Sequence, residues 1–470
     1  MEMPLARRSR PSSSRPPPTT TSSAAAAAEP RGGRDWLSTL LRVRAKLTRR
    51  RAAADDDGTP LTDELLLLIL AGVPTLADLV RCAATCRRWR RLVSAESASL
   101  SLTPRRAPGR FISPLALGFF HHEDAAPPRF VAMAMASASR RFPDLLLRHP
   151  PPSLSTLIDG ELLGASSHIV AARNGLIVVD LRRGKHDRSL KLCVCNPMSG
   201  LVHVLPFLDG KEGVLHYACT VLNADDSDEK TVTPPRSSSY FRLVIVYTRH
   251  GFTVFRSYSS EEGSWSEEAK VNTAMLGQKQ MSFTQGQGGI VQHGGRLVHW
   301  LARNVVFVLS LETLQSVVVS VPRSGNGQRF DMENTLLGLS PEERLCVIQF
   351  GHLSLVTGNQ RVSIRVTTRT DRGWDLGELI QVEQSLPADV AGVRLKWFFE
   401  KSGVVIFSVI AGDNDRRRSE MYALRLDTRV VEKLVSHDRE GDVWGNVHGY
   451  EMDQATYLAS LAVPEGMEDM

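Results

Sequence analysis

Residues 61–93 read LTDELLLLILAGVPTLADLVRCAATCRRWRRLV, and six consecutive apolar residues, Leu65 to Leu70, fill less than two helical turns of them. Thr62 is a residue type that opens helices, and Asp63 and Glu64 carry the charge that suits a helix N-terminus. Gly72 and Pro74 end the run. Thr75 and Asp78 then form a T-x-x-D pair resembling a capping box, which predicts a second helical stretch. Its apolar residues Leu76, Leu79, Val80 and Ala83 lead into Cys82, Cys86, Trp89 and Val93, spaced four, three and four along one face. Arg87, Arg88, Arg90 and Arg91 take the other faces. A unit of about forty residues has too little interior to enclose so many large side chains. A helix that is apolar nearly all round needs cover on several sides, from the rest of the chain or from a partner.

On the N-terminal side lies a basic arm. The 470-residue chain has a formal net charge of +6, with 57 Lys and Arg against 51 Asp and Glu. Residues 1–57 hold twelve of the cations (eleven Arg and Lys46) and six of the acids, which leaves 45 of each sign in the remaining 413. The body is neutral, so nothing there asks for a nucleic-acid partner. Residues 1–34, rich in Arg, Ser, Pro, Thr and Ala, lack the material for a core. Asp35 is placed to cap a basic amphipathic helix with Trp36, Leu40, Val43 and Leu47 on one side. A solvated arm, a membrane-surface helix, an organelle transit peptide and a nuclear import signal all fit that composition. No apolar run approaches the roughly 18 residues a spanning helix needs.

On the C-terminal side, from about residue 155, the texture turns to short Val/Ile/Leu/Phe runs separated by turn residues. Strand pairs around N-G, G-G or S-G (ARNGLIVV, QHGGRLVHWLA, EKSGVVIF) are each followed by a strand, a turn and another strand (CVCNPMSGLVHVLP, FVLSLETLQSVVVSVP, YALRLDTRVVEKLV). Pro197 to Glu312, and Glu312 to Asp427, each cover two or three such units. A repeat of about forty to fifty residues is the propeller range, and five or six blades are expected. Residues 101–154, with RRAPGRFISPLALGFFHH, are read as a connector that cements the two parts or adds an outer strand.

Chemistry-bearing motifs are absent. There is no H-E-x-x-H, G-x-S-x-G or Walker-type loop. Gly286, Gly288 and Gly289 precede a strand and lack a following Lys, so they read as a blade-joining turn. Asp225–Asp226 and Glu261–Glu262 lie in polar runs and are read as solvated loops. The six cysteines, at 82, 86, 193, 195, 219 and 346, make no zinc-type C-x-x-C pair, and one residue between Cys193 and Cys195 puts both on one strand face. Without a leading signal core, reduced thiols in the cytoplasm or nucleus are expected. Trp265, Trp300, Trp374, Trp397 and Trp444 are read as blade-packing residues or target anchors.

Residues 61–93 resemble an F-box. Leu61, Asp63, Glu64, Leu65, Leu66, Ile69, Leu70, Leu79, Arg81, Cys82, Cys86, Arg88 and Trp89 stand where that family's L-P-x-E-L-L-x-x-I-L … L-x-x-C-x-x-V-C-R-x-W pattern has its residues, and Thr62 replaces the usual Pro. NGLIVV … CNPMSG … LP and RLVHWLA … VLSLET resemble blades of the F-box-associated propellers of plant-type F-box proteins. The resemblance implies a multidomain α plus all-β chain: a helical F-box at 58–100, then a β-propeller-like domain of short antiparallel strands at 155–470. It implies the substrate-recognition subunit of a Skp–cullin–F-box ubiquitin ligase, non-catalytic and without metal or cofactor. Leu61, Leu65, Ile69, Leu70, Pro74, Leu79, Cys86 and Trp89 would dock on a Skp-type adaptor, and through it a cullin. The β domain would hold a target protein. Two other readings stay open: a propeller scaffold outside any ligase, and a DNA-binding protein using the Arg-rich helix.

Overall fold

Asn174 and Gly175 both adopt positive φ, 49° and 76°, which a two-residue hairpin of the favoured twist requires. They join His168–Arg173 to Leu176–Asp180, and longer turns with Gly294, Gly295 and Gly403 at positive φ join the first two strands of two further sheets. The computed structural model describes residues 60–461 apart from 74–75, 102–110, 123–126, 134–152, 165, 183–188, 209–213, 215, 227–239, 275, 285–287, 293, 323, 326–327, 355–359, 413–416, 438–442 and 460. The amphipathic helix expected at 36–47 lies outside the described residues, as does Pro74.

Six antiparallel sheets form six blades of a β-propeller. Blades 1 (168–204), 3 (290–320) and 5 (390–437) have four strands each, and blades 2 (217–270) and 4 (324–381) have five. Their inner strands, His168–Arg173, Tyr217–Asn223, Ile290–Gln292, Gln328–Leu339 and Val390–Phe399, each touch the next in order. Blade 6 closes the ring with three strands, Ala116–His121 pairing with both Arg129–Ala132 and the C-terminal His448–Glu451. His448–Glu451 is its inner strand, against those of blades 5 and 1. The blade is thus assembled from chain segments more than three hundred residues apart. The segment 101–154, set apart above as a connector, supplies two of its strands. Each of the Pro197–Glu312 and Glu312–Asp427 intervals spans two blades.

Strand pleating explains how one sequence serves two neighbours. In blade 1, LIVVD and LCVCN are buried along their whole length. Val178 and Val194 pack towards blade 2, while Ile177, Val179, Cys193 and Cys195 pack on the opposite side, facing the helices. All six cysteines are free thiols. Burial pushes the Cys193 and Cys346 thiols up to about 11. Such thiols are inert packing groups.

Seven helices serve as reference points: α1 (Asp63–Ala71), α2 (Leu76–Ala83), α3 (Arg87–Ala95), α4 (Ser97–Ser101), α5 (Leu154–Leu157), α6 (Gln278–Ser282) and α7 (Gln454–Ala459). Helices α3 and α4 pack on α7. One continuous core joins Leu66, Leu70, Leu79, Leu92, Val93 and Leu100 to Ile169 and Ile177 of blade 1, Tyr450 of blade 6 and Leu458 of α7. The helical layer has no core separate from the propeller's.

Candidate functional site

Helix α1 divides its leucines between two fates. Leu66 and Leu70, four apart, are wholly buried in the shared core. Leu65, Leu68 and Ile69, at the i, i+3 and i+4 spacing of one face, are 47%, 36% and 50% exposed. Three large apolar side chains side by side in solvent on one helix make an interaction face.

The base beneath that face is held by polar contacts. Thr62 has the extended conformation of a cap, yet its side chain makes no capping bond. The Arg88 guanidinium fixes the start of α1 instead, with Nε donating to Asp63 Oδ1 at 2.9 Å and an NH2 donating to the Leu61 carbonyl. Arg91 approaches the second Asp63 oxygen at 3.8 Å. Asp63 therefore does more than complement the helix dipole: it ties α1 to α3. Cys86 caps α3, its Sγ accepting from the Trp89 backbone N–H at 3.4 Å. Asp78 and Arg81 pair on α2. Arg88 is thus bound into the helical layer, while Arg91 keeps 43% of its side chain exposed.

The seven described residues of the eight expected at the adaptor do not lie on one surface. Leu65 and Ile69 are exposed. Leu61, Cys86 and Trp89 are half-buried, with Leu61 and Trp89 packed on the core. Leu70 and Leu79 are fully buried by the chain itself, so they support the face from below and do not present it. Leu68, left out of the expected set, completes the exposed trio. Helical spacing from Leu65 and Ile69 was the signal that could have found it.

Residues 63–99 match the family model described as F-box-like. These residues are an F-box-like domain. Its boundaries coincide with α1 to α4, and the six-bladed propeller stands beside it. No curated protein matches the chain. Among solved structures, oligogalacturonate lyase from Vibrio parahaemolyticus is 9% identical with a TM-score of 0.26, over 58% of this chain and 72% of that one. A Penicillium chrysogenum alpha-L-arabinanase complexed with arabinobiose is 11% identical with a TM-score of 0.32, over 64% and 85%. The WD40 domain of SCAP from fission yeast is 8% identical with a TM-score of 0.25, over 58% and 61%. These similarities carry no argument about what this chain binds.

At the ends of the propeller's inner strands a charged cluster gathers. Arg173 of blade 1 pairs with Asp226, which follows the inner strand of blade 2, and its Nε lies 3.2 Å from Glu400 of blade 5. The Asp226 carboxylate also accepts from the Asn223 backbone N–H at 3.0 Å. Glu451 of blade 6 accepts from the Lys401 backbone N–H at 3.1 Å and from Ser402. Burial pushes Glu400 up to about 7, against the pull of Arg173 and with Glu451 and Asp226 adding to it. Asp226, expected in a solvated loop, is instead buried against its cation: burial alone would raise it too, but Arg173 holds it below the usual carboxylate range. Every charge in the cluster has a partner, which identifies it as a structural tie between four blades.

The tryptophans divide as well. Trp300 and Trp444 are buried. The Trp265 indole donates to the Pro206 carbonyl at 2.9 Å and that of Trp374 to Ser320 at 2.9 Å, so an outer tryptophan of blades 2 and 4 staples the blade before it. Gly289 is a blade-entry residue whose Cβ would meet the Trp300 indole at 2.6 Å. Gly286 and the loops 227–239 and 326–327 lie outside the described residues. Among the described residues, no three His, Cys, Asp or Glu side chains are placed to share a metal ion, and no helix is long and apolar enough to cross a membrane.

Proposed function

We propose that this chain is the substrate-recognition subunit of a Skp–cullin–F-box ubiquitin ligase. The F-box-like domain docks on the Skp-type adaptor through Leu65, Leu68 and Ile69, and the propeller holds the target protein. The observation that carries the reading is the exposed trio on α1 of an F-box-like domain, backed by Leu66 and Leu70 and locked by Arg88 and Asp63. In this reading the chain is a non-catalytic receptor of the cytoplasm or nucleus. It raises the effective concentration of a target at the ubiquitin carrier and does no chemistry itself. The plant-type form of such receptors is proposed on the blade motifs quoted above.

The test is capture of purified Skp-type adaptor by the full chain and by a Leu65→Asp, Ile69→Asp double variant. Two charges in an apolar contact cost far more than truncation, so the double variant is expected to lose binding at least a hundredfold while keeping its fold. Capture by both proteins alike would remove α1 from the interface. Capture by neither would leave the propeller as a scaffold outside any ligase.

A further inference from the structure

His448–Glu451 and α7 serve two parts of the molecule at once. The strand is the inner strand of blade 6, and its closure is well fastened. The Met452 N–H donates to the Leu115 carbonyl at 2.9 Å and the Gly175 N–H to the Glu451 carbonyl at 2.6 Å. The Tyr450 hydroxyl reaches Asn196 Oδ1 at 3.1 Å. Two residues beyond the strand, Asp453 Oδ1 accepts from the Thr456 backbone N–H at 2.8 Å and opens α7. Leu458 and Tyr457 of that helix join Leu92, Val93 and Leu100 in the shared core. The floor under the F-box-like helices is thus laid by the segment that completes the ring. Helices α1 to α4 are too small a unit to build a sufficient core alone.

We propose that ring closure acts as a folding checkpoint on the F-box-like face. Leu65, Leu68 and Ile69 are held in one presentable plane only when the segment 448–459 has docked. A chain interrupted before residue 448, or one whose blade 6 has opened, leaves Leu92, Val93 and Leu100, on which α1 packs through α3, without cover. It exposes loose apolar helix where the complete chain offers an ordered face. In the setting of the proposed function, on which this consequence rests, a receptor with an incomplete target-binding domain does not enter the ligase.

Amide hydrogen exchange on the full chain tests the dependence without any adaptor. Leu458→Asp disturbs the floor directly. Gly449→Val acts from within blade 6, because a Cβ there would stand 2.3 Å from the Trp397 ring. Exchange at amides 66–70 and 89–95 is expected to quicken at least tenfold in both variants and to stay at the wild-type rate in Leu458→Met. Accompanying loss in blade 2, at 243–247, would make helices and ring one cooperative unit and support the proposal more strongly. Helices that stay protected in Leu458→Asp, or in Gly449→Val while amides 448–451 exchange freely, would overturn it. Adaptor capture by the same proteins separates the two readings. If wild type and Leu458→Asp bind equally, the checkpoint fails; if wild type does not bind, the ligase reading fails and the exchange result stands.

Discussion

Leu176–Asp180 of blade 1 and Leu65–Leu70 of α1 have nearly the same apolar density, yet the strand is wholly buried and the helix half uncovered. This middle strand is covered on one face by blade 2 and on the other by the core shared with the helices and blade 6. A helix lying on the rim of a core is covered on one face only, whatever its sequence. Apolar density therefore reports a need for cover, and architecture decides which part of it the chain meets.

The sharpest way to break that contrast is to empty a site that the ring closes completely. Arg173→Met leaves Asp226 and Glu400 buried without their cation, and about 3–5 kcal/mol of stability is expected to go, read by chemical denaturation. A loss under 1 kcal/mol would show that water reaches the cluster. Next come the two faces of α1. Leu70→Ala is expected to cost about 2–4 kcal/mol, and Leu65→Ala within about 0.5 kcal/mol of nothing, by the same measurement. Equal costs would mean that α1 is covered on both sides.

Acid and base act on the ring in opposite senses. Burial, with His168 nearby, lowers His448 from 6.5 to about 3. A depressed group contributes stability that is present above its unfolded value and lost as pH falls, so His448 costs stability below about 6.5. Glu400 is raised from 4.5 to about 7. Its contribution is full below about 4.5 and is lost as pH rises through 7. His448→Phe, which keeps a ring beside Trp397, is expected to flatten the denaturation midpoint between pH 6.5 and 4, and Glu400→Gln to flatten it between 4.5 and 7. An unchanged profile in His448→Phe would assign the acid loss elsewhere. The smallest effect belongs to the α3 cap. Cys86→Ala is expected to cost about 0.5 kcal/mol and Cys86→Ser nothing, since a hydroxyl accepts from the Trp89 N–H at least as well as a thiol.

What could be read from the sequence was local. The N-G turn at 174–175 declares its hairpin because few residues tolerate that backbone. The spacing of Cys82, Cys86, Trp89 and Val93 reads as one helical face, but the chain breaks that stretch into α2 and α3, with Cys86 in extended backbone as the cap of α3. Blade 6 hid because ALGFFH meets HGYE only across the length of the chain, and a strand with a distant partner carries no turn signal. Arg173 and Glu400 were illegible for the same reason. Thr62 misled differently: it has the right backbone for a cap, but an arginine twenty-six residues away takes over the task of fixing the helix start. The burial of Leu92 and Leu100 rests on α7, which no pattern near residue 61 could announce.

The tie between Arg173 and Glu400 reaches past blade 6, and a Cβ on Gly288 at the entry to blade 3 would stand 3.7 Å from Ala171 of blade 1. Among the described residues, blades that are not ring neighbours therefore reach one another directly at the inner strands. In the function proposed above, the guest is a target protein held at one rim of the propeller or along its outer edge. Which rim it chooses then fixes which side of the guest is turned towards Leu65, Leu68 and Ile69, since the helices and the blades share a single foundation.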